Sequence, residues 1–252
     1  MTMKGLSLIK IAEACGGVYY QDMKQPDVET KTVTVTAVVI DSRKVTEGAL
    51  FIATKGARVD GHDFIDEVFE KGAACVISEK KLECPQGPYI LVEDSFAALR
   101  KIAAYYRSLL NIRVVGITGS VGKTSTKEMI ASVLEQKYRV LKTEGNFNNE
   151  IGLPLTILRI REEHEVAVLE MGISDFGEMR RLSEIARPDI CVITNIGECH
   201  LENLGDKQGV LVAKSEIFEF MSKEGVICLN GDDPMLALKD KDSEMSKDSG
   251  AA

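Results

Sequence analysis

Residues Val114-Val115-Gly116-Ile117-Thr118-Gly119-Ser120-Val121-Gly122-Lys123-Thr124-Ser125-Thr126 constrain this chain more than any other stretch. An apolar run leads into a glycine-punctuated turn, and Lys123-Thr124 opens a segment of helical period, so the order here is strand, loop, helix. That layout suits a polyphosphate cradle built from Gly119, Ser120, Val121, Gly122, Lys123, Thr124 and Ser125. Glycines let backbone N–H groups turn inward, the helix N-terminus adds positive potential, the lysine neutralises β/γ charge and the Thr124 hydroxyl is placed to ligate Mg²⁺. The strict phosphate-loop pattern asks for glycine at position 117, where the chain carries Ile117 between Gly116 and Gly119. The competing reading is an ordinary strand-to-helix turn with a solvated lysine.

The 252 residues, 44% apolar and 28% charged, are enough for two modest domains. A net charge of −8 opposes a nucleic-acid surface, which needs a basic face, so a phosphate ligand has to be held by local charge. Cys15, Cys75, Cys84, Cys191, Cys199 and Cys228 form no C-x-x-C pair. Neither a zinc cluster nor a disulfide framework is signalled, and reduced, mostly buried thiols are expected. No basic segment followed by an apolar core opens the chain, and no apolar run is long enough for a bilayer, so a cytoplasmic protein without membrane insertion is expected.

Hydrophobic patterning predicts a short helix over 6–15 stopped by Gly16-Gly17, a β-branched strand over 32–40, strands at 49–53, 75–78 and 89–92, and a long helix over 96–110. A first domain over 1–111 and a second over 112–238 follow, with 239–252 as a polar tail. In the second domain a helix is predicted over 123–137, with Met129, Ile130, Val133 and Leu134 on its buried stripe. Short apolar runs end at Glu170, at Thr194-Asn195 and at Asn230, the pattern of a buried parallel sheet whose ligands sit outside the carboxyl ends of the strands. The fold class is therefore α/β: a small N-terminal α/β domain, then a central P-loop domain with a mostly parallel sheet. Four or five strands are counted after Ile112, few for a nucleotide-binding sheet, and the central domain is expected to be cut short.

Glu170 ends a strand where a carboxylate suits Mg²⁺ on ATP phosphates, or simply faces solvent. His200 reads equally as a metal or phosphate contact and as a structural histidine. Cys199 and His200, being adjacent, are poorly placed for a nucleophile pair. On its residues alone Lys214, inside a helix, is a solvated lysine, and Asp232 or Asp233 is a helix cap. The loop over 143–154 concentrates Asn146, Asn148 and Asn149, more amides than turn chemistry needs.

These motifs, in this order, resemble the Mur ligases of peptidoglycan synthesis. Thr118-Gly119 with Gly122-Lys123-Thr124 matches that family's form of the loop, and Glu144 to Pro154, Leu169-Glu170-Met171-Gly172 and Asn195 to His200 resemble the member that acts last. The resemblance implies an ATP-dependent amide ligase that joins D-alanyl-D-alanine to UDP-N-acetylmuramoyl-tripeptide through an acyl phosphate. It implies Mg²⁺ contacts at Thr124 and Glu170, a second Mg²⁺ at His200, and at Lys214 the lysine that is carbamylated in related members. Lys123, Glu170, His200 and Lys214 are thereby the catalytic set. Asn149 and Asn230 are similar to nucleotide or substrate contacts, while Ser42, Arg43, Lys55 and Gly56 lie in a segment similar to the family's UDP-sugar site. A monomer is expected, without the family's C-terminal domain. A P-loop kinase or GTPase leaves the asparagine loop and Lys214 without a role, and the Asp41-Ser42-Arg43 domain argues against the related folylpolyglutamate synthetases.

Overall fold

The computed structural model describes residues 3, 6–21 and 35–237. Its contacts divide the chain into two compact units, Met1–Asn111 with Ile157–Glu162, and Ile112–Thr156 with Glu163–Ala252. The polar tail over 239–252 and the first residues of the strand expected over 32–40 lie outside the described residues.

In the first unit, α1 (Leu8–Cys15) starts where the Ser7 side chain accepts from Lys10 N and ends at Gly16, whose φ of 71° closes the last turn. Strands β1 (Val18–Tyr20), β2 (Val38–Val39), β3 (Leu50–Ile52), β4 (Cys75–Ser78) and β5 (Tyr89–Leu91) form one sheet in the order β1-β5-β4-β3-β2. All its neighbours are parallel except β1 with β5. Helix α2 (Ile65–Glu70) and helix α3 (Ser95–Ser108), capped by Asp94, complete the unit. Phe51, Val68, Val76 and Tyr89 pack together as core. The β-branched run before Asp41 forms only the two-residue β2 among the described residues. It lies at the sheet edge beside β3 alone, and Val35 and Thr36 send their N–H groups to Leu6 and Gly48 carbonyls instead of a ladder. Strand propensity without a second neighbour does not extend the strand.

The second unit is a five-stranded, wholly parallel sheet in the order β10-β9-β6-β8-β7. Its strands are β6 (Arg113–Thr118), β7 (Val140–Lys142), β8 (Val166–Glu170), β9 (Ile190–Ile193) and β10 (Val226–Leu229). Helices α4 (Lys123–Leu134), α5 (Gly152–Ile157), α6 (Glu178–Ala186), α7 (Leu201–Leu204) and α8 (Lys207–Ser215) connect them. Strand β6 is central, and the order runs outward from it in both directions, which leaves a crevice at its carboxyl end. Ile117 belongs to β6 and is fully buried with Val115, Ala131 and Val168, so position 117 serves the core and the loop begins only at Gly119.

Helix α4 corrects the expected stripe. Met129 and Val133 are 69% and 71% exposed; Lys127 and Ala131 are the buried positions, with Ile130 and Leu134 packed against the core. Two pairs spaced i,i+4 compete in this helix, and the sheet takes the pair on the Ala131 side. Among the cysteines, Cys15, Cys75 and Cys191 are buried, Cys199 is half-buried, and Cys84 and Cys228 are exposed, all as free thiols. Burial pushes the Cys191 thiol up to about 12. Among the described residues no helix is long and apolar enough to cross a membrane.

Candidate active site

The loop between β6 and α4 turns on two glycines, Gly119 at φ 148° and Gly122 at φ 81°. Gly122 is the N-cap of α4 and no side chain caps the helix, so the N–H groups of its first turn face outward for an anion. Lys123 folds over the loop and its Nζ donates to Gly119 O at 2.9 Å. Asn195, just past β9, braces the other side: its Oδ1 accepts from Ser120 N at 3.1 Å and from Val121 N at 3.0 Å. Those two N–H groups are therefore spent on the protein, and the donors left for a phosphate are those at the start of α4.

Glu170, the last residue of β8, is 2% exposed and held from three sides. Thr124 Oγ1 donates to its Oε2 at 2.9 Å, Asn148 Nδ2 donates to its Oε1 at 2.8 Å, and its own N–H donates to Thr143 Oγ1 at 3.0 Å. A hydroxyl and a carboxylate oxygen thus stand together beside an uncapped helix start, a donor set that fits a hard divalent cation on a nucleotide phosphate. Among the described residues no three His, Cys, Asp or Glu side chains converge as a metal cluster.

A cavity of about 420 Å³ opens beside the loop, and its lining includes Ser120, Lys123, Asn149, His200 and Lys214. Five residues from distant parts of the sequence are brought together here, along with Asn148 and Cys199. His200 stands at the N-cap of α7 with φ 52° and is exposed, so its backbone is held in a left-handed turn at the cavity rim. Asn149 lines the cavity but commits its Oδ1 to capping α5, accepting from Gly152 N at 2.8 Å. Asn230 is not brought in: it is exposed and its Oδ1 accepts from Asp232 N in its own turn. Asp233, read as a helix cap, accepts from Met235 N and also from Ile196 N at 2.7 Å, which ties the segment after β10 to that after β9.

Lys214 on α8 is 1% exposed as a residue and lines the cavity. Burial pushes it down to about 8 from 10.5, with Lys123 pushing the same way and Cys199 opposing. A lysine whose folded value lies below its unfolded one destabilises the fold while it must carry charge, below about pH 8. The penalty is present at pH 7 and fades as pH rises toward 10.5. Lys214→Met is therefore expected to raise resistance to urea at pH 7 in CO₂-free buffer, with the gain shrinking by pH 10; an equal gain at both values would contradict this account.

In the first unit, Asp41 caps the short 3₁₀ turn Ser42–Lys44 and grips Arg43 through Oδ1 and Oδ2, at 2.9 and 2.8 Å. The Arg43 guanidinium holds the Asp41 carboxyl down at about 2. A cavity of about 560 Å³ at this end of the sheet is lined by Ser42, Arg43, Phe51, Gly56 and Phe64, among others. Arg43 is 85% exposed at its side chain and offers its remaining N–H groups to an anion. Lys55 is not among the lining residues; its backbone pairs with Asp60.

An uncapped helix after the central strand of a parallel sheet, with lysine and a hydroxyl–carboxylate pair at its start, defines a P-loop nucleotide-binding protein. The chain matches the Mur ligase middle domain over residues 117–249 and the Mur ligase family catalytic domain over residues 34–119. It belongs to the Mur ligase family.

It is 48% identical over 204 residues to the UDP-N-acetylmuramoyl-tripeptide–D-alanyl-D-alanine ligase of Bacillus subtilis, covering 80% of this chain and 45% of that protein. The ligase of the same name from Escherichia coli is 39% identical over 211 residues, covering 84% and 46%. Among solved structures, MurF from Acinetobacter baumannii superposes with a TM-score of 0.85 at 31% identity, over 97% of this chain and 53% of that one. MurF ligase from Thermotoga maritima in complex with ADP gives 0.75 at 41% identity, over 81% and 47%. The chain thus spans about half the length of the relatives it matches.

Proposed function

We propose that this chain carries the ATP site and the UDP-substrate site of an ATP-dependent ligase that joins D-alanyl-D-alanine to UDP-N-acetylmuramoyl-tripeptide in the cytoplasm, acting as a monomer. The observation that carries the reading is the convergence of Lys123, Glu170, His200 and Lys214 on one loop and its cavity, at the switch point of a sheet whose family is known. The relatives named for this reaction supply its substrates.

The chemistry asks that a carboxylate and a triphosphate, both anionic, approach closely enough for in-line transfer. Lys123 and the first N–H groups of α4 counter the phosphate charge. Thr124 and Glu170 would hold Mg²⁺, which when bound would supply charge neutralisation at the phosphates. The γ-phosphoryl group passes to the terminal carboxylate of the tripeptide, the amine of D-alanyl-D-alanine attacks the acyl phosphate, and amide, ADP and phosphate leave. Lys214, 1% exposed, lines the cavity it shares with His200. With CO₂ added to its neutral amine and a proton released, it would become an anionic oxygen donor, and with His200 it would hold a second Mg²⁺. In the first unit, Ser42 and Arg43 take the uridine diphosphate, the guanidinium matching phosphate oxygens.

The test is phosphate release. Release that requires ATP, UDP-tripeptide and D-alanyl-D-alanine together is expected of the ligase. Binding of ADP and of the UDP-substrate with no release under any combination would reduce the chain to a two-site binding module.

A further inference from the structure

We propose that Lys127 makes metal binding at Glu170 depend on nucleotide: its ammonium neutralises the carboxylate, so a divalent cation is taken as a nucleotide complex and the free ion is refused. The inference rests on the ATP reading above and assigns a role to a residue that nothing in the sequence singled out.

Lys127 lies one turn after Lys123 on the same side of α4 and, although a lysine, is 1% exposed. Its Nζ donates to Thr143 O at 2.7 Å, stands 3.1 Å from Glu128 Oε1 and lies 3.9 Å from Glu170 Oε2. Thr143 joins both groups, since its carbonyl takes the Lys127 donor and its hydroxyl accepts from Glu170 N. The ammonium is thus fixed underneath the carboxylate, while Thr124 and Asn148 hold the two oxygens from other directions.

Bonding Thr143 O requires only a neutral donor, and Glu128, half exposed, already pairs with Lys142, so Glu170 is the enclosed counterpart of the buried charge. The charge acts on Glu170. A carboxylate with a cation 3.9 Å away attracts a second cation weakly, and in a buried site that repulsion is little screened. Phosphate oxygens delivered with the metal restore the balance. Glu128, the other acid at Lys127, also faces Lys142 at 2.6 Å and is held below the usual carboxylate range chiefly by that lysine, so it remains paired when Lys127 is lost. Glu170, by contrast, has only hydrogen-bond donors left.

Mn²⁺, read by its paramagnetic resonance, tests this on the purified protein with and without ADP. The native chain is expected to bind Mn²⁺ weakly alone and about tenfold or more tightly with ADP. Lys127→Met is expected to bind free Mn²⁺ at least about tenfold more tightly than the native chain, Lys127→Arg to restore the native discrimination, and Glu170→Gln added to Lys127→Met to cancel the gain. A purely structural lysine would lower thermal stability and leave free-Mn²⁺ affinity where it was. A folded Lys127→Met with native Mn²⁺ affinity overturns the inference. If that variant does not fold, Lys127→Gln, which keeps a donor for Thr143 O, decides on the same readout. A native chain that binds no Mn²⁺–ADP overturns the nucleotide reading itself, and is distinguishable because it needs no variant.

Discussion

Lys123→Ala is expected to cut ADP affinity by on the order of tenfold to a hundredfold, the worth of one charge-assisted contact to phosphate. On the proposed reading it is expected to lower substrate-dependent phosphate release by on the order of a thousandfold, because the charge matters most where phosphate charge spreads in transfer. The geometry sets this apart from an ordinary surface lysine. Nζ rests on Gly119 O over the loop, the helix start beneath it has no side-chain cap, and Ser120 and Val121 N–H are already engaged by Asn195. With fewer backbone donors free than an open loop provides, more of the phosphate charge falls to Lys123. If the proposed UDP-substrate site lies at Ser42 and Arg43, the variant should still bind that substrate within about twofold, since both residues belong to the first unit. Calorimetry with each ligand separately checks both halves. A comparable loss of UDP-substrate affinity would contradict the division of labour between the two units.

What the sequence disclosed and what it hid follow from the same physics. Strands of a parallel sheet are buried on both faces, so β6, β8 and β9 read as mostly apolar runs, and the polar residues at or just after their ends could be placed at one edge from the sequence. Glu170 was legible for that reason. The buried face of α4 was not, because Met129 and Val133 repeat with the same spacing as Ile130 and Leu134, and only the position of the sheet decides which pair packs inward. Lys127 was hidden by its own chemistry: a lysine's long stem lets it sit on an apolar face with its head in water, and nothing local reveals that this head is turned inward.

The amides illustrate a finer limit. Asn148 and Asn149 are neighbours, yet Asn148 reaches Glu170 while Asn149 caps α5, a difference of one residue in where the loop turns. Asn195 could be put at the strand end but not in the loop, since its bonds to Ser120 and Val121 depend on how β9 and β6 are registered. Asn230 follows an apolar run much as Glu170 ends one, but that run is β10 at the sheet edge, two strands away from β6, and Asn230 is used by its own turn.

That registry gives the second large effect, at Gly119. A Cβ built there would lie 1.9 Å from Thr194 Oγ1 and 3.2 Å from Asn195 N, at a φ of 148° that side chains rarely adopt. Thr194 cannot simply swing aside, because its hydroxyl donates to Val121 O at 2.6 Å and so helps hold the loop it would have to leave. Gly119→Ala therefore forces the backbone of β6 and β9 apart where Asn195 braces the loop. A loss of about 3 kcal/mol or more is expected, from strain together with overpacking, lowering the melting temperature of the second unit by on the order of 10 °C. ADP binding should disappear with it, even at temperatures where the variant is folded. Gly122→Ala is the comparison: its φ of 81° is also left-handed, but the added Cβ meets nothing within 4 Å. Only the backbone strain remains there, about 1–2 kcal/mol, so the fold should survive with a small shift. Thermal unfolding of the two variants side by side separates close approach from left-handed strain. Equal losses would mean that the brace between β6 and β9 does not hold this loop.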